Sequence, residues 1–351
     1  MVSGTPCGAR ALSSSSVASI LEMGFGKKPS NVAKIASRRW MGLTISEPQF
    51  KTGMDEAHVA DIRRTLINDN CIDEDFALQH EIGNGAFGRV LFARERHTDA
   101  AVAVKVMDKG NNPFCYREAE LIHRVSHTNV MSCKAVYEDE ANMYIVTNAY
   151  TGGELYDYVS DNLGEIEPRR AFQLGLDMLR GLEACHMAGF AHLDVKPENF
   201  MFKTGGIGAP LVLVDFGSSE PFVKKTYAET SDDYDPDKDD EITDLERLTG
   251  TAMYMSPEVA LATKFSSRSD VWSVGVTLFI MLTGDLPYET TKDTKDPVFE
   301  TLDTENAAIK KMLHPRARDL LNNMMHLDSG QRSSATEAIS EISTLLNEEI
   351  V

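Results

Sequence analysis

The chain has 351 residues, 42% of them apolar and 25% charged, which is an ordinary balance for a globular protein and enough for a two-lobed fold plus an extension. Its net charge of −19 argues against nucleic acid or an anionic membrane surface as a main partner and favours basic partners or substrates. No apolar run approaches the roughly 18 residues that would give a membrane span. The five cysteines, Cys7, Cys71, Cys115, Cys133 and Cys185, show no paired or zinc-like spacing, so reduced thiols in a cytoplasmic protein are expected.

Residues 1–72 read as an extension, partly disordered or regulatory. Up to Ile45 there is one acid, Glu22, against six basic residues. Acid-poor starts with arginine and serine resemble organelle transit peptides, so import through this segment is an alternative to a disordered tail. Over Asp55–Asn68, the spacing of Val59, Ile62, Leu66 and Ile67 predicts a short helix that docks on the main domain.

From Phe76 the pattern is strand-like. Gly-rich punctuation at 82–88 is followed by β runs over Val90–Ala93 and Ala100–Met107. A helix fits Phe114–Val125, and two further strands fit Ser132–Tyr137 and Asn142–Thr147. After Gly152 and Gly153 the periodicity turns helical, over Glu154–Asp161, Glu167–Ala188, Arg268–Leu282, Pro315–Met325 and Ser334–Asn347. A small β-rich half before a larger helical half is an α+β, bilobal layout, with lobes expected at 73–149 and 150–348.

Four strings carry chemistry. Gly83-Asn84-Gly85-Ala86-Phe87-Gly88 has β-type residues on both sides, so it reads as a hairpin whose bare backbone can close over phosphates; a dinucleotide fold would open a helix there. Lys105 stands in the apolar run Val102-Ala103-Val104, where an ammonium is costly unless it meets anions. Helical spacing makes Glu118 the candidate carboxylate, with Glu120 as competitor. In His192-Leu193-Asp194-Val195-Lys196-Pro197-Glu198-Asn199, a proton-accepting carboxylate, a cation and a metal-binding amide lie within six positions, the set that phosphoryl transfer needs. Leu211-Val212-Leu213-Val214 ends in Asp215, a lone carboxylate suited to Mg²⁺.

With Thr251, Ser256-Pro257-Glu258, Asp270-Val271-Trp272 and Arg332 in order after it, the chain from Phe76 to Asn347 resembles the eukaryotic protein kinase domain of Ser/Thr type. Thr151–Leu155 and Leu327–Arg332 are similar to the calcium/calmodulin-dependent and calcium-dependent kinase group. The resemblance implies ATP and Mg²⁺ as cofactors and basic protein substrates. Asp194 would be the base, Lys196 the γ-phosphate cation, Lys105 and Glu118 an ion pair, and Asn199 and Asp215 the metal ligands. Ile82, Gly83, Asn84, Gly85 and Gly88 would cover the nucleotide. Val90, Ala103 and Met201 would sandwich adenine, and Thr147 would be a small gatekeeper beside the hinge residues Asn148 and Tyr150. Glu154 would reach the ribose or a basic substrate side chain, and Glu258 would pair with Arg332. A nucleotide-binding scaffold without transfer typically lacks the base, the metal Asp or the strand Lys; all three are present.

Three departures from that family pattern matter. Leu193 replaces the usual Arg before the base, so activity independent of activation-segment phosphate is expected. An acidic insertion at 228–247 carries ten acids and one lysine between Glu229 and Glu246; it reads as a solvated segment, with recruitment of basic substrates, mimicry of phosphate or a Ca²⁺ loop over Asp235–Glu246 as the sharper options. Asp240 stands in that loop where the sharp turn wants Gly. Third, no tandem EF-hand pattern or basic calmodulin-target helix comes after the last predicted helix, so the resemblance covers the catalytic domain.

Overall fold

A run of alternating valines explains the first sheet. In Ala101–Asp108, Val102, Val104 and Val106 are buried on one face while Ala103 and Lys105 point to the other, the period-2 signature of a strand. The computed structural model describes residues 54–85, 88–112, 114–206, 208–222, 243–244, 250–261, 264–287 and 313–350. The import-like start lies outside these residues. So do the acidic insertion and its Ca²⁺-loop reading, apart from Thr243 and Asp244.

Helix α1 covers Glu56–Leu66, and the short helix α2 covers Ile72–Asp75. Strands β1 (Phe76–Gly85), β2 (Gly88–Glu95), β3 (Ala101–Asp108), β4 (Cys133–Glu138) and β5 (Asn142–Asn148) form an antiparallel sheet in the order β1-β2-β3-β5-β4. Helix α3, Cys115–His123, interrupts them and packs near β4 and α1.

The larger half holds α4 (Leu155–Asp161), α5 (Pro168–Met187), β6 (Phe190–Ala191), β7 (Phe200–Phe202), β8 (Leu211–Leu213), β9 (Glu220–Pro221), β10 (Thr243–Asp244), α6 (Pro257–Ala260), β11 (Lys264–Phe265), α7 (Ser267–Thr283), α8 (Pro315–Met324) and α9 (Ala335–Asn347). Pro168 opens α5 at a position where a missing N–H costs nothing. Helix α7 starts at a capping box of Ser266 and Ser269 and is buried almost all round, which places it at the centre of a helical core. Short β pairs, β6 with β9 and β7 with β8, hold the loops that carry the candidate site. The α+β layout of a five-stranded sheet followed by helices is the one expected. Among the described residues no helix is long and apolar enough to cross a membrane.

Candidate functional site

Register places one half of the site on a single sheet face. Val90 pairs with both Gly83 on β1 and Lys105 on β3, and Ala103 pairs with Thr147 on β5. Paired residues share a face, so Gly83, Val90, Lys105, Ala103 and Thr147 line the same side. Gly85 pairs with Gly88, closing the hairpin that also carries Ile82 and Asn84. Gly88 has φ of +140°, and a Cβ there would come within 2.3 Å of the Val106 carbonyl oxygen, so a side chain is excluded. Asn148 ends β5 and Tyr150 lies two residues on, with the Tyr150 hydroxyl accepting from the Ser132 N–H at 3.3 Å. Glu154 is exposed at the start of α4 and bridges to Met201 on β7.

Lys105 Nζ lies 2.6 Å from Glu118 Oε1 and 2.7 Å from Asp215 Oδ1. Burial disfavours its charge, but Asp215 and Glu118 outweigh that and hold the ammonium above its ordinary pKa. Burial would likewise raise Asp215, yet the Lys105 charge and the Gly217 N–H bring it down to about 2. Lys105 and Asp215 are therefore both charged throughout the neutral range. Glu118 is only 2% exposed. Glu120, the alternative partner, instead meets His58 at 3.0 Å and Arg124. Two helical positions turn it some 200° away from Glu118.

The second half is a loop. Asp194 receives Lys196 Nζ on Oδ2 at 2.8 Å, the Thr251 hydroxyl on Oδ1 at 3.0 Å and the Asn199 amide at 3.1 Å. Lys196 also donates to Thr251 at 2.8 Å. Burial would lower the Lys196 pKa, but Asp194 and Glu198 raise it on balance, so it stays cationic. Leu193 at φ 63° and Asp215 at φ 65° sit in the left-handed region, which costs of order 1–3 kcal/mol per residue and needs a rigid surround. Asp270 on α7 supplies it beside Leu193: its carboxylate accepts from the His192 and Leu193 N–H groups at 2.8 and 2.9 Å and contacts His186 at 2.8 Å. Gly250, at φ +103°, approaches this loop so closely that a Cβ would be 2.4 Å from the Leu193 carbonyl oxygen.

Two charged clusters, one on the sheet and α3 and one on the loop at 192–199, agree with the comparison of whole sequences, in which the protein kinase domain model matches residues 76–342. The chain belongs to the protein kinase family. Serine/threonine-protein kinase PEPKR2 of Arabidopsis thaliana is 30% identical over 275 residues, covering 77% of this chain and 53% of the relative. Calcium-dependent protein kinase 4 of Plasmodium falciparum is 30% identical over 269 residues, covering 74% and 47%. Human serine/threonine-protein kinase H1 is 27% identical over 267 residues, covering 74% and 58%. The chain thus spans about half the length of the curated relatives it matches.

In this kinase domain, three groups near the site are not legible in the sequence. Asp270 stands within a recognised string without a role, because the N–H groups it receives lie 77 and 78 residues away. Glu198 lies between Lys196 and Asn199, and its Oε2 is buried with no hydrogen-bond partner among the described residues. Burial pushes its carboxyl up to about 7; Lys196 works against the rise, while Asp194 and Glu154 add to it. Arg117 on α3 pairs with the buried Glu220 on β9, a link between distant segments that no local pattern announces. The expected Glu258–Arg332 bridge is bidentate, at 2.7 and 3.0 Å, with the arginine fully buried 5.1 Å from the centre of the Trp272 ring. It braces α6 and α7, with Arg332 also donating to the Arg268 carbonyl at 2.9 Å.

Proposed function

We propose that this chain transfers the γ-phosphate of ATP to Ser or Thr hydroxyls of protein substrates, with a preference for basic sites, through a kinase domain at 73–348 preceded by a regulatory extension. The observation that carries this reading is the convergence of Asp194, Lys196, Asn199 and Thr251 within hydrogen-bond distance of one another.

The donor set fits Mg-ATP. Gly85 and Gly88, paired in the hairpin, carry no side chain to keep phosphate oxygens from the backbone. A single carboxylate, Asp215, and one amide oxygen, that of Asn199, suit Mg²⁺, which keeps most of its shell for water and phosphate. When bound, the metal neutralises charge on the phosphates. Lys105, held cationic by Glu118 and Asp215, anchors the α- and β-phosphates. Asp194 orients the substrate hydroxyl and takes its proton, and Lys196 stays beside the γ-phosphate. Asn199 donates to the Asp194 backbone carbonyl at 2.7 Å as well as to its side chain, which keeps the carboxylate aimed. The aliphatic face of Val90, Ala103 and Met201 accepts adenine beneath Ile82, with Thr147, Asn148 and Tyr150 along its edge.

A basic preference is supported by the net charge of −19 and by two acids at the loop, Glu198 within it and the exposed Glu154 near it. Independence from activation-segment phosphate is supported by Leu193, whose side chain is buried, and by Glu220, an acid that already occupies Arg117. The free thiols of Cys71, Cys115, Cys133 and Cys185 suit a reducing, cytoplasmic setting.

Incubating phosphatase-treated full chain with Mg-ATP and a peptide library tests the reading. Phosphate is expected on Ser and Thr near basic residues, with Asp194→Asn reducing turnover by about a thousandfold. No transfer by the unaltered chain, or an undiminished rate in Asp194→Asn, overturns it.

A further inference from the structure

Helix α3 is nine residues long, below the length at which an isolated helix is stable in water, so its neighbours set its position. Its faces divide by spacing. Glu118 faces Lys105, whereas Tyr116 and Glu120, four positions apart, lie together on the other side. There they meet α1, which precedes the matched domain at 76–342. His58 reaches Glu120 at 3.0 Å. Arg63 lies 5.1 Å from the centre of the Tyr116 ring, donates to its hydroxyl at 2.5 Å and pairs with Glu138 of β4 at 2.9 Å. The Tyr116 hydroxyl closes the triangle by donating to Glu138 at 2.6 Å. Val59, Ile62 and Leu66 form a narrow apolar stripe beneath these contacts, with Ile62 3% exposed and Val59 and Leu66 half-buried against the core. Past α1, the Asn68 N–H donates to the Val136 carbonyl at 2.9 Å, pinning the segment to β4.

We propose that α1 and its continuation to Asn68 form a tethered positioning element: by gripping Tyr116 and Glu120 on the outer face of α3, they hold Glu118 against Lys105, so that full phosphotransfer depends on residues upstream of the kinase domain. The dependence on phosphotransfer rests on the proposed kinase activity; the grip on α3 does not. A stripe of three apolar residues and a few partly exposed polar contacts makes a dock that can detach without unfolding the core. Residues 54–68 therefore act as a positioning segment and touch no reacting atom.

The test compares the full chain with Ile62→Asp and, separately, with the milder Arg63→Glu. Phosphorylation kinetics and hydrogen exchange at amides 115–123 are both read. A fall in kcat of about tenfold or more is expected, with peptide KM within about twofold. Exchange over 115–123 should quicken while α7 keeps its protection. A synthetic peptide of residues 54–70 added in trans should recover part of the rate of Ile62→Asp. Unchanged exchange over 115–123 in both variants overturns the proposal, as does faster exchange with an unaltered kcat. Should the unaltered chain transfer no phosphate, the proposed activity falls, and α3 exchange alone decides: acceleration supports the grip, and no change removes it.

Discussion

The two charged clusters of the candidate site are held in different ways. Asp194, Lys196 and Asn199 occupy six consecutive positions of one loop, and Asp270 ties that loop's backbone to the fully packed helix α7. Lys105, Glu118 and Asp215 come from a strand, a helix and a loop, with separations of 13 and 110 residues. The loop cluster is thus set when the helical core folds, whereas the Glu118 arm of the strand cluster exists only while α3 stays in place. Protein interiors switch between discrete arrangements more readily than they deform, so control is expected at the second cluster and constancy at the first.

Breaking the brace of the loop cluster should have the largest effect. Asp270 is 1% exposed, and Asp270→Ala leaves two buried N–H groups and the His186 ring without their acceptor. A loss of about 3 kcal/mol or more in unfolding free energy is expected, read by denaturant titration, together with loss of turnover. A fully active, equally stable variant would show that the left-handed Leu193 holds itself.

Glu118→Gln attacks the other side. It should lower kcat by about a hundredfold, which corresponds to ~2.7 kcal/mol of transition-state stabilisation, while changing stability little beyond the loss of one partly compensated ion pair. If Asp270→Ala and Glu118→Gln instead damaged stability equally, the contrast between a fixed and a movable cluster would be lost.

The smallest effect sharpens the contrast through pH. Glu198 has a folded-state pKa of about 7, raised by burial above the ordinary 4.5. Between those values the native state keeps a proton that the unfolded chain has released, so this group's contribution to stability falls as pH rises through that window. Its charge, which the proposed preference for basic sites would use, develops over the same interval. Selectivity for a basic peptide over its alanine counterpart should rise severalfold between about pH 6 and pH 8, and Glu198→Gln should flatten the profile. A wild-type profile already flat would remove Glu198 from recognition.

Much of the site is legible in the sequence because its chemistry is local. Alternating valines around Lys105, six positions spanning Asp194 to Asn199, and a buried strand ending at Asp215 each mark a candidate within a few residues, and the structure brings their charges together in two clusters. Helix spacing also favours Glu118 over Glu120, and α3 is oriented accordingly. The pairs that stay illegible are those that sequence distance hides: His186 with Asp270, 84 residues apart, and Arg117 with Glu220, 103 apart. A single Arg or Asp on a helix face looks like any solvated charge until another element is laid against it.

The predicted helix at 55–68 illustrates the boundary between the two kinds of knowledge. Its apolar spacing determined that a short amphipathic helix would form and seek a surface, and local motifs determined the family and the candidate residues of the site. Which surface it would seek was decided by packing: Tyr116, Glu120 and Glu138 come together only once α3 lies across β4, and Arg63 and His58 then find them. Tertiary structure alone places a segment from outside the catalytic domain on the helix that carries Glu118, because hydrophobic stripes specify burial but not the partner that provides it.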